Sequence, residues 1–202
     1  MIKEALTYDD VQLIPCYSEI RSRQDINLTT QVTKNWNLTI PVIASPMDTV
    51  CGEDMAIQMM ALGGLGIIHR FMSPSDQKKC VESVFRFRDE SLHRSLPISA
   101  AVGSNGDYLE RSKMLIEAGV DIILIDVAHG HHINVKEAIQ EIKSLYPSID
   151  IMAGNISTQE SAMDLIEWGA DSLRVGIGGG SLCTTRIQTG FGVPNITSIS
   201  DI

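Results

Sequence analysis

Six short apolar runs punctuate the chain, and each of the first five is followed by a segment with helical spacing. The runs are 40–44, 65–68, 96–102, 122–125, 149–153 and 172–175. Between them, Glu53 to Leu62 places Met55, Ala56, Met59 and Met60 at helical intervals before Gly63 and Gly64 stop it. Ser73-Pro74-Ser75-Asp76 reads as a helix start with proline near the first turn, and that helix runs to about Asp89. Helices are expected from Asp107 to Ala118, ended by Gly119, and from Ile133 to Leu145. A further one runs from an N-cap at Thr158 to Trp168, stopped by Gly169. Strands and helices alternating at intervals of about 25–30 residues define βαβ units and a parallel sheet.

The residues able to do chemistry fall just after the expected strand ends: Ser45 and Asp48, His69, Asp126 and His129, Asn155, and Cys183. A (β/α)8 barrel of TIM type carries its active site on that face. Doubly wound open sheets also bind ligands there, but their first βα turn is rich in glycine, and no such turn follows 40–44 here. The expected fold is therefore α/β, of (β/α)8 TIM-barrel type. Six strands against the barrel's eight make it truncated after the sixth. The domain expectation is a single partial barrel over 1–202, with an extension and hairpin at 1–39 and βα repeats at 40–202. Within the extension, 6–15 is read as a short extended or turn segment ended by Pro15. The stretch 26–32 alternates as a half-buried strand would, and the whole serves as a lid or a base.

Composition sets limits on partners. A formal net charge of −9 with no basic concentration argues against a nucleic-acid surface but leaves room for a phosphate ligand. Cys16, Cys51, Cys80 and Cys183 are widely spaced, which suggests neither a zinc site nor a disulfide framework. The first three are expected to be structural thiols of a reduced, cytoplasmic protein. No secretory leader and no long apolar run is present, so no membrane partner is expected.

The densest local signal is the stretch 174–186, Arg-Val-Gly-Ile-Gly-Gly-Gly-Ser-Leu-Cys-Thr-Thr-Arg. Glycines used so closely free backbone N–H groups to face an anion, and Ser181, Thr184 and Thr185 add hydroxyl donors. A cysteine in such surroundings is a candidate nucleophile, because an electropositive setting favours the thiolate.

Taken with 6–11 (Leu-Thr-Tyr-Asp-Asp-Val), 44–50 (Ala-Ser-Pro-Met-Asp-Thr-Val), 63–69 (Gly-Gly-Leu-Gly-Ile-Ile-His), 126–130 (Asp-Val-Ala-His-Gly) and Gly154-Asn155, this loop resembles the IMP dehydrogenase/GMP reductase family along essentially the whole chain. The resemblance implies that Cys183 attacks C2 of a purine nucleotide, with Thr185 assisting. In the dehydrogenase, NAD takes a hydride from IMP and water releases XMP. In the reductase, GMP loses ammonia and NADPH supplies the hydride, giving IMP. Ser45 and Met47 match base- and ribose-side contacts, and Ser181 a phosphate contact. Asp126, Asn155 and Arg174 match residues lining the cofactor and substrate pocket. Backbone carbonyls of Gly178, Gly180 and Cys183 match a site for a monovalent cation such as potassium. The family habit is a homo-oligomer, a tetramer.

Residues 69–74 run directly into the next helix, so the regulatory CBS insert of many dehydrogenases is absent. The segments 126–131 and 44–47 read more like the dehydrogenase, and 151–155 leans towards the reductase. Dehydrogenase leads. Ile202 follows the cysteine loop closely, and the family's later strands, phosphate sites and flap are not in this sequence. That raises three further expectations: completion by a complementary C-terminal polypeptide, an inactive relative that binds nucleotide or pairs with other subunits, or a nucleotide-independent barrel fragment that serves assembly alone. Gly179 stands where the family often has proline or serine, a change expected to loosen the loop. His129, His131 and His132 are expected to be exposed loop imidazoles without a carboxylate partner, and His69 a loop or pocket-wall residue. Lys78, Lys79, Arg86, Arg88 and Arg94 are assigned to solvated faces.

Overall fold

A computed structural model of the chain describes residues 4–91 and 93–202, so the first three residues of the expected 1–39 extension lie outside it. A small antiparallel pair, β1 (Thr30–Gln31) and β2 (Asn37–Leu38), precedes the main sheet. Then come β3 (Ile43–Ala44), α1 (Glu53–Ala61), β4 (Leu65–Ile68), α2 (Pro74–Glu90), β5 (Ser99–Val102) and α3 (Tyr108–Glu117). They are followed by β6 (Ile122–Asp126), α4 (Ile133–Leu145), β7 (Asp150–Ile156), α5 (Gln159–Trp168) and β8 (Ser172–Val175). Two short helices close the described chain, α6 (Thr184–Thr189) and α7 (Asn195–Asp201).

Strands β3 to β8 form one six-stranded sheet in sequence order, and every neighbouring pair is parallel. Stepping one strand at a time in one direction is the winding of a (β/α) barrel, and the sheet is an open, curled part of one. The curl shows in side-chain contacts. Ile43 of the first strand and residues 172–175 of the last line one interior cavity of about 320 Å3.

The elements form where the residues dictate. Every residue of β4 and β5 is buried, as are the first four of β6, because helices cover one face and the barrel interior the other. In α4, Val135, Ala138, Ile139 and Ile142 are fully buried at helical spacing. Ser73 caps α2 by accepting the Asp76 N–H at 3.1 Å, with Pro74 in the first turn. Gly169 ends α5 in the left-handed region at φ 111°, a conformation that costs a side chain dearly.

The N-terminal hairpin is a base rather than a lid. Thr33 and Asn35 both donate to the Asp150 carboxylate at the start of β7, and Lys34 pairs with Asp171 just before β8 at 3.2 Å. The expected strand over 26–32 shrinks to Thr30–Gln31, with Ile26 and Leu28 exposed, because the stretch before it packs on nothing. Strand 40–44 likewise reduces to Ile43–Ala44, and 96–102 to Ser99–Val102. In contrast β7 runs on through Asn155 to Ile156, so Asn155 lies inside the strand rather than beyond it.

Several side chains depart from expectation. Cys16 is exposed and packs into no core, whereas Cys51 is buried and Cys80 half-buried. Arg88 is no solvated cation: only 13% exposed, it pairs with Asp121 just before β6. His131 has a carboxylate partner, Asp164 of α5, at 2.7 Å, and stacks on Trp168. The partner comes from the next βα unit, 33 residues away, which local spacing does not reveal. His129 and His132 are exposed as expected, and no metal-binding cluster occurs among the described residues.

Candidate active site

Arg174 organises the C-terminal rim of the sheet. From β8 its Nη1 donates to Asp126 Oδ1 on β6 at 2.5 Å and to Asn155 Oδ1 on β7 at 3.2 Å. Its Nη2 reaches Ser45 Oγ, just past β3, at 3.4 Å. One planar guanidinium thus ties three strand ends to the first strand of the sheet, which a lysine ammonium could not do from one position.

Around this hub is a cleft of about 460 Å3, a size that suits a small-molecule ligand. Its apolar and aromatic lining includes Pro46, Phe71, Val127 and Ala128, and its polar lining includes Asp126, Asn155 and Arg174. Met47, Asp48, Arg70, Thr184 and Thr185 complete it. Arg70 and Phe71 were not among the expected site residues, although their place directly after β4 was the available signal. The residue that follows them, Met72, is held by a buried polar bridge. Arg111 Nη1 donates to Gln77 Oε1 at 2.8 Å and to the Met72 carbonyl at 3.2 Å, while Gln77 Nε2 donates to the Ala101 carbonyl at 2.8 Å. His69 lies behind the rim, buried, with its Nδ1 accepting the Phe71 N–H.

The glycine loop leaves β8 and delivers Cys183 to the N-cap of α6. The thiol is half-buried. The backbone N–H of Arg186 does most to hold its pKa below the ordinary thiol value, against a counteracting push from burial. The backbone and hydroxyl of Thr185 and the backbone of Gly178 add to the lowering. Burial acts the opposite way on the other packed thiols, pushing Cys51 up to about 11 and raising Cys80. The thiolate is therefore favoured at Cys183 over Cys51 and Cys80.

Of the residues singled out from the sequence, Met47, Asp126, Asn155, Arg174 and Thr185 line one cleft, and Ser45 touches it through Arg174. Cys183 is not among the residues lining the cleft, but Thr184 and Thr185, which follow it in the chain, are. Gly178, Gly180 and Ser181 face elsewhere, into a hollow of about 570 Å3 shared with 7–10 and Arg186. Beside Gly179 the loop is packed rather than open. The space its missing side chain leaves is taken by Asn195 of α7, whose Oδ1 lies 2.0 Å from where a Cβ would stand.

Parallel strands in winding order, with a polar cluster on the C-terminal rim, define a barrel-type α/β protein. A family model described as IMP dehydrogenase / GMP reductase domain matches residues 5–202, and the chain belongs to that family. It is 42% identical to the inosine-5'-monophosphate dehydrogenase of Borreliella burgdorferi over 99% of this chain and 60% of that protein. The enzyme of the same name from Cryptosporidium parvum is 42% identical over 98% of this chain and 58% of its own length. That from Bacillus subtilis is 32% identical over 320 residues, more than this chain contains, so it carries internal segments with no counterpart here. The chain spans about three-fifths of the two more similar relatives, 60% and 58%.

Proposed function

We propose that this chain forms the nucleophile-bearing part of an IMP dehydrogenase-type catalytic barrel, which oxidises IMP to XMP in guanine nucleotide synthesis. The observation that carries the reading is the place of Cys183 at the N-cap of α6, whose first residues, Thr184 and Thr185, line the cleft ordered by Arg174. Three relatives named for that activity favour the dehydrogenase over the reductase, whose reaction would use GMP and NADPH.

The Cys183 thiolate forms a bond to C2 of the purine, and Thr185 supplies a hydroxyl beside it. Ser45 and Met47 contact the base and ribose side, and Ser181 donates to the phosphate. After the hydride has left C2, water cleaves the carbon–sulfur bond, releasing XMP and restoring the thiol. NAD, when bound, supplies the hydride acceptor. The cleft's residues fit it: Phe71, Val127 and Ala128 offer an apolar face to a planar ring, while Asp126 and Asn155 offer acceptors to hydroxyl and amide groups.

A potassium ion suits the carbonyls of Gly178, Gly180 and Cys183, which are neutral hard oxygens within one short turn. The Gly180 carbonyl already accepts the Cys183 N–H at 3.1 Å and keeps one lone pair for a cation. Three carbonyls leave the rest of a shell to be filled by water or other protein groups.

Closing the barrel requires two more βα units between β8 and β3, and the reading includes their supply by further polypeptide, with the complete protein a homo-oligomer. Calorimetric titration with IMP, followed by absorbance of reduced cofactor, tests the proposal. IMP binding and cofactor reduction with IMP plus NAD support it. Cofactor oxidation with GMP plus NADPH would assign the reductase reaction instead, and absence of any IMP binding would contradict both.

A further inference from the structure

After the glycine loop the chain passes through α6 and turns back, so that α7 rests against the loop. A Cβ built on Gly179 would lie 2.0 Å from Asn195 Oδ1, 2.4 Å from its Cγ and 2.8 Å from its Nδ2. The same oxygen lies 3.4 Å from a Cβ built on Gly176. The Asn195 amide thus fills a notch made by two glycines of the loop. Gly178 needs its glycine for a left-handed φ of 67°, but Gly179 is not in that region. At Gly179 the requirement is space alone.

Asn195 Oδ1 is buried with no hydrogen-bond partner. A buried acceptor without a partner costs free energy, so packing must hold the amide in place. The helix that carries it is anchored independently. Thr197 Oγ1 accepts the Leu6 N–H at 2.7 Å, and the Thr197 N–H donates to the Leu6 carbonyl at 3.3 Å. Just before α7, the Val193 N–H donates to the Ile177 carbonyl inside the loop at 2.9 Å. A continuous path of contacts therefore runs from the N-terminal segment through α7 to the turn that presents the nucleophile.

We propose that Asn195 is a positioning residue for Cys183: its amide, seated in the notch at Gly179, fixes the turn from Gly176 to Gly180 and so sets how the thiol is presented. For its catalytic meaning the proposal rests on the nucleophile reading above, but its geometry does not. The Cys183 N–H donates to the Gly180 carbonyl at 3.1 Å, so a shift of this turn reaches the backbone of the nucleophile directly.

The test is the rate at which iodoacetamide, a reagent with no nucleotide character, alkylates Cys183, read by mass spectrometry with the exposed Cys16 as internal reference. Asn195→Ala empties the notch, and Gly179→Ala drives a methyl into it. Each should change the Cys183-to-Cys16 ratio by about threefold or more, the scale of coupling between touching side chains. The double variant, in which the methyl occupies the space the amide has left, should return towards the parent ratio. An Asn195→Ala chain with the parent ratio overturns the proposal, as does a double variant no nearer the parent than Gly179→Ala. Should Gly179→Ala fail to fold by circular dichroism, Asn195→Ala alone decides. Failure of the nucleotide reading would leave these ratios untouched and would show instead as loss of IMP binding to the parent chain.

Discussion

Arg174 on β8 and Asp126 on β6 meet at 2.5 Å across the intervening strand β7. Their side chains are 28% and 18% exposed, so the pair lies between a surface ion pair and a fully buried one. Surface pairs contribute about 0–1 kcal/mol, and breaking a buried pair by removing one partner costs about 3–5 kcal/mol.

Arg174→Met should therefore lower unfolding stability by about 1–3 kcal/mol, between those limits. Urea unfolding measures this as a lower midpoint with an unchanged slope. Arg174→Lys should recover part of the stability but not nucleotide affinity, since an ammonium cannot reach Asp126, Asn155 and Ser45 together.

Arg111 is 7% exposed and connects Gln77, the Met72 carbonyl and Asp107. Arg111→Met leaves the Gln77 oxygen and the Met72 carbonyl without this donor and should cost about 2–4 kcal/mol. The loop carrying Arg70 and Phe71 should loosen with it, which amide hydrogen exchange at 70–72 would register as faster exchange than in the parent chain.

The rhythm of strand and helix was readable because parallel strands buried on both faces leave unbroken apolar runs. The cysteine loop was readable because few other structures need so many glycines before a thiol. What escaped was long-range. Arg88 looked like one more charge on a helix until Asp121, 33 residues away, came to meet it. His131 gained Asp164 in the same way. The meaning of Gly179 depended on Asn195, since a glycine's requirement for space shows only when its neighbour is known. Arg70 and Phe71 stood directly after a strand in the sequence, but nothing local indicated that the cleft would open on them rather than on His69.

Asp171 adds a pH dependence. Burial pushes its carboxyl up, but Lys143, the Ile151 N–H and Lys34 together outweigh it and leave the pKa below its ordinary 3.8. In this window the unfolded chain holds more protons than the folded one, so this contribution is present above pH 3.8 and is lost as pH falls through the folded value. Acid unfolding followed by circular dichroism should show Asp171→Asn less stable than the parent near neutrality, with the difference narrowing as pH falls below that point. A difference that stays constant would show that the carboxylate's charge is not what matters.

The outer edges of β3 and β8 are unpaired among the described residues. Open edges of a parallel sheet recruit other chains, so this chain alone should associate as its concentration rises. Sedimentation velocity tests this: growing weight-average mass is the expected result, and a concentration-independent monomer contradicts it.

The central claim is that Cys183 is a nucleophile aimed at a purine nucleotide bound on the rim. The most direct measurement is mass spectrometry of the chain after exposure to a purine ribonucleotide that carries a leaving group on its ring. The account predicts one adduct, on Cys183, formed ahead of any at Cys16, Cys51 or Cys80 and suppressed by IMP. Equal labelling of all four cysteines, or labelling of Cys183 that IMP does not suppress, would contradict it.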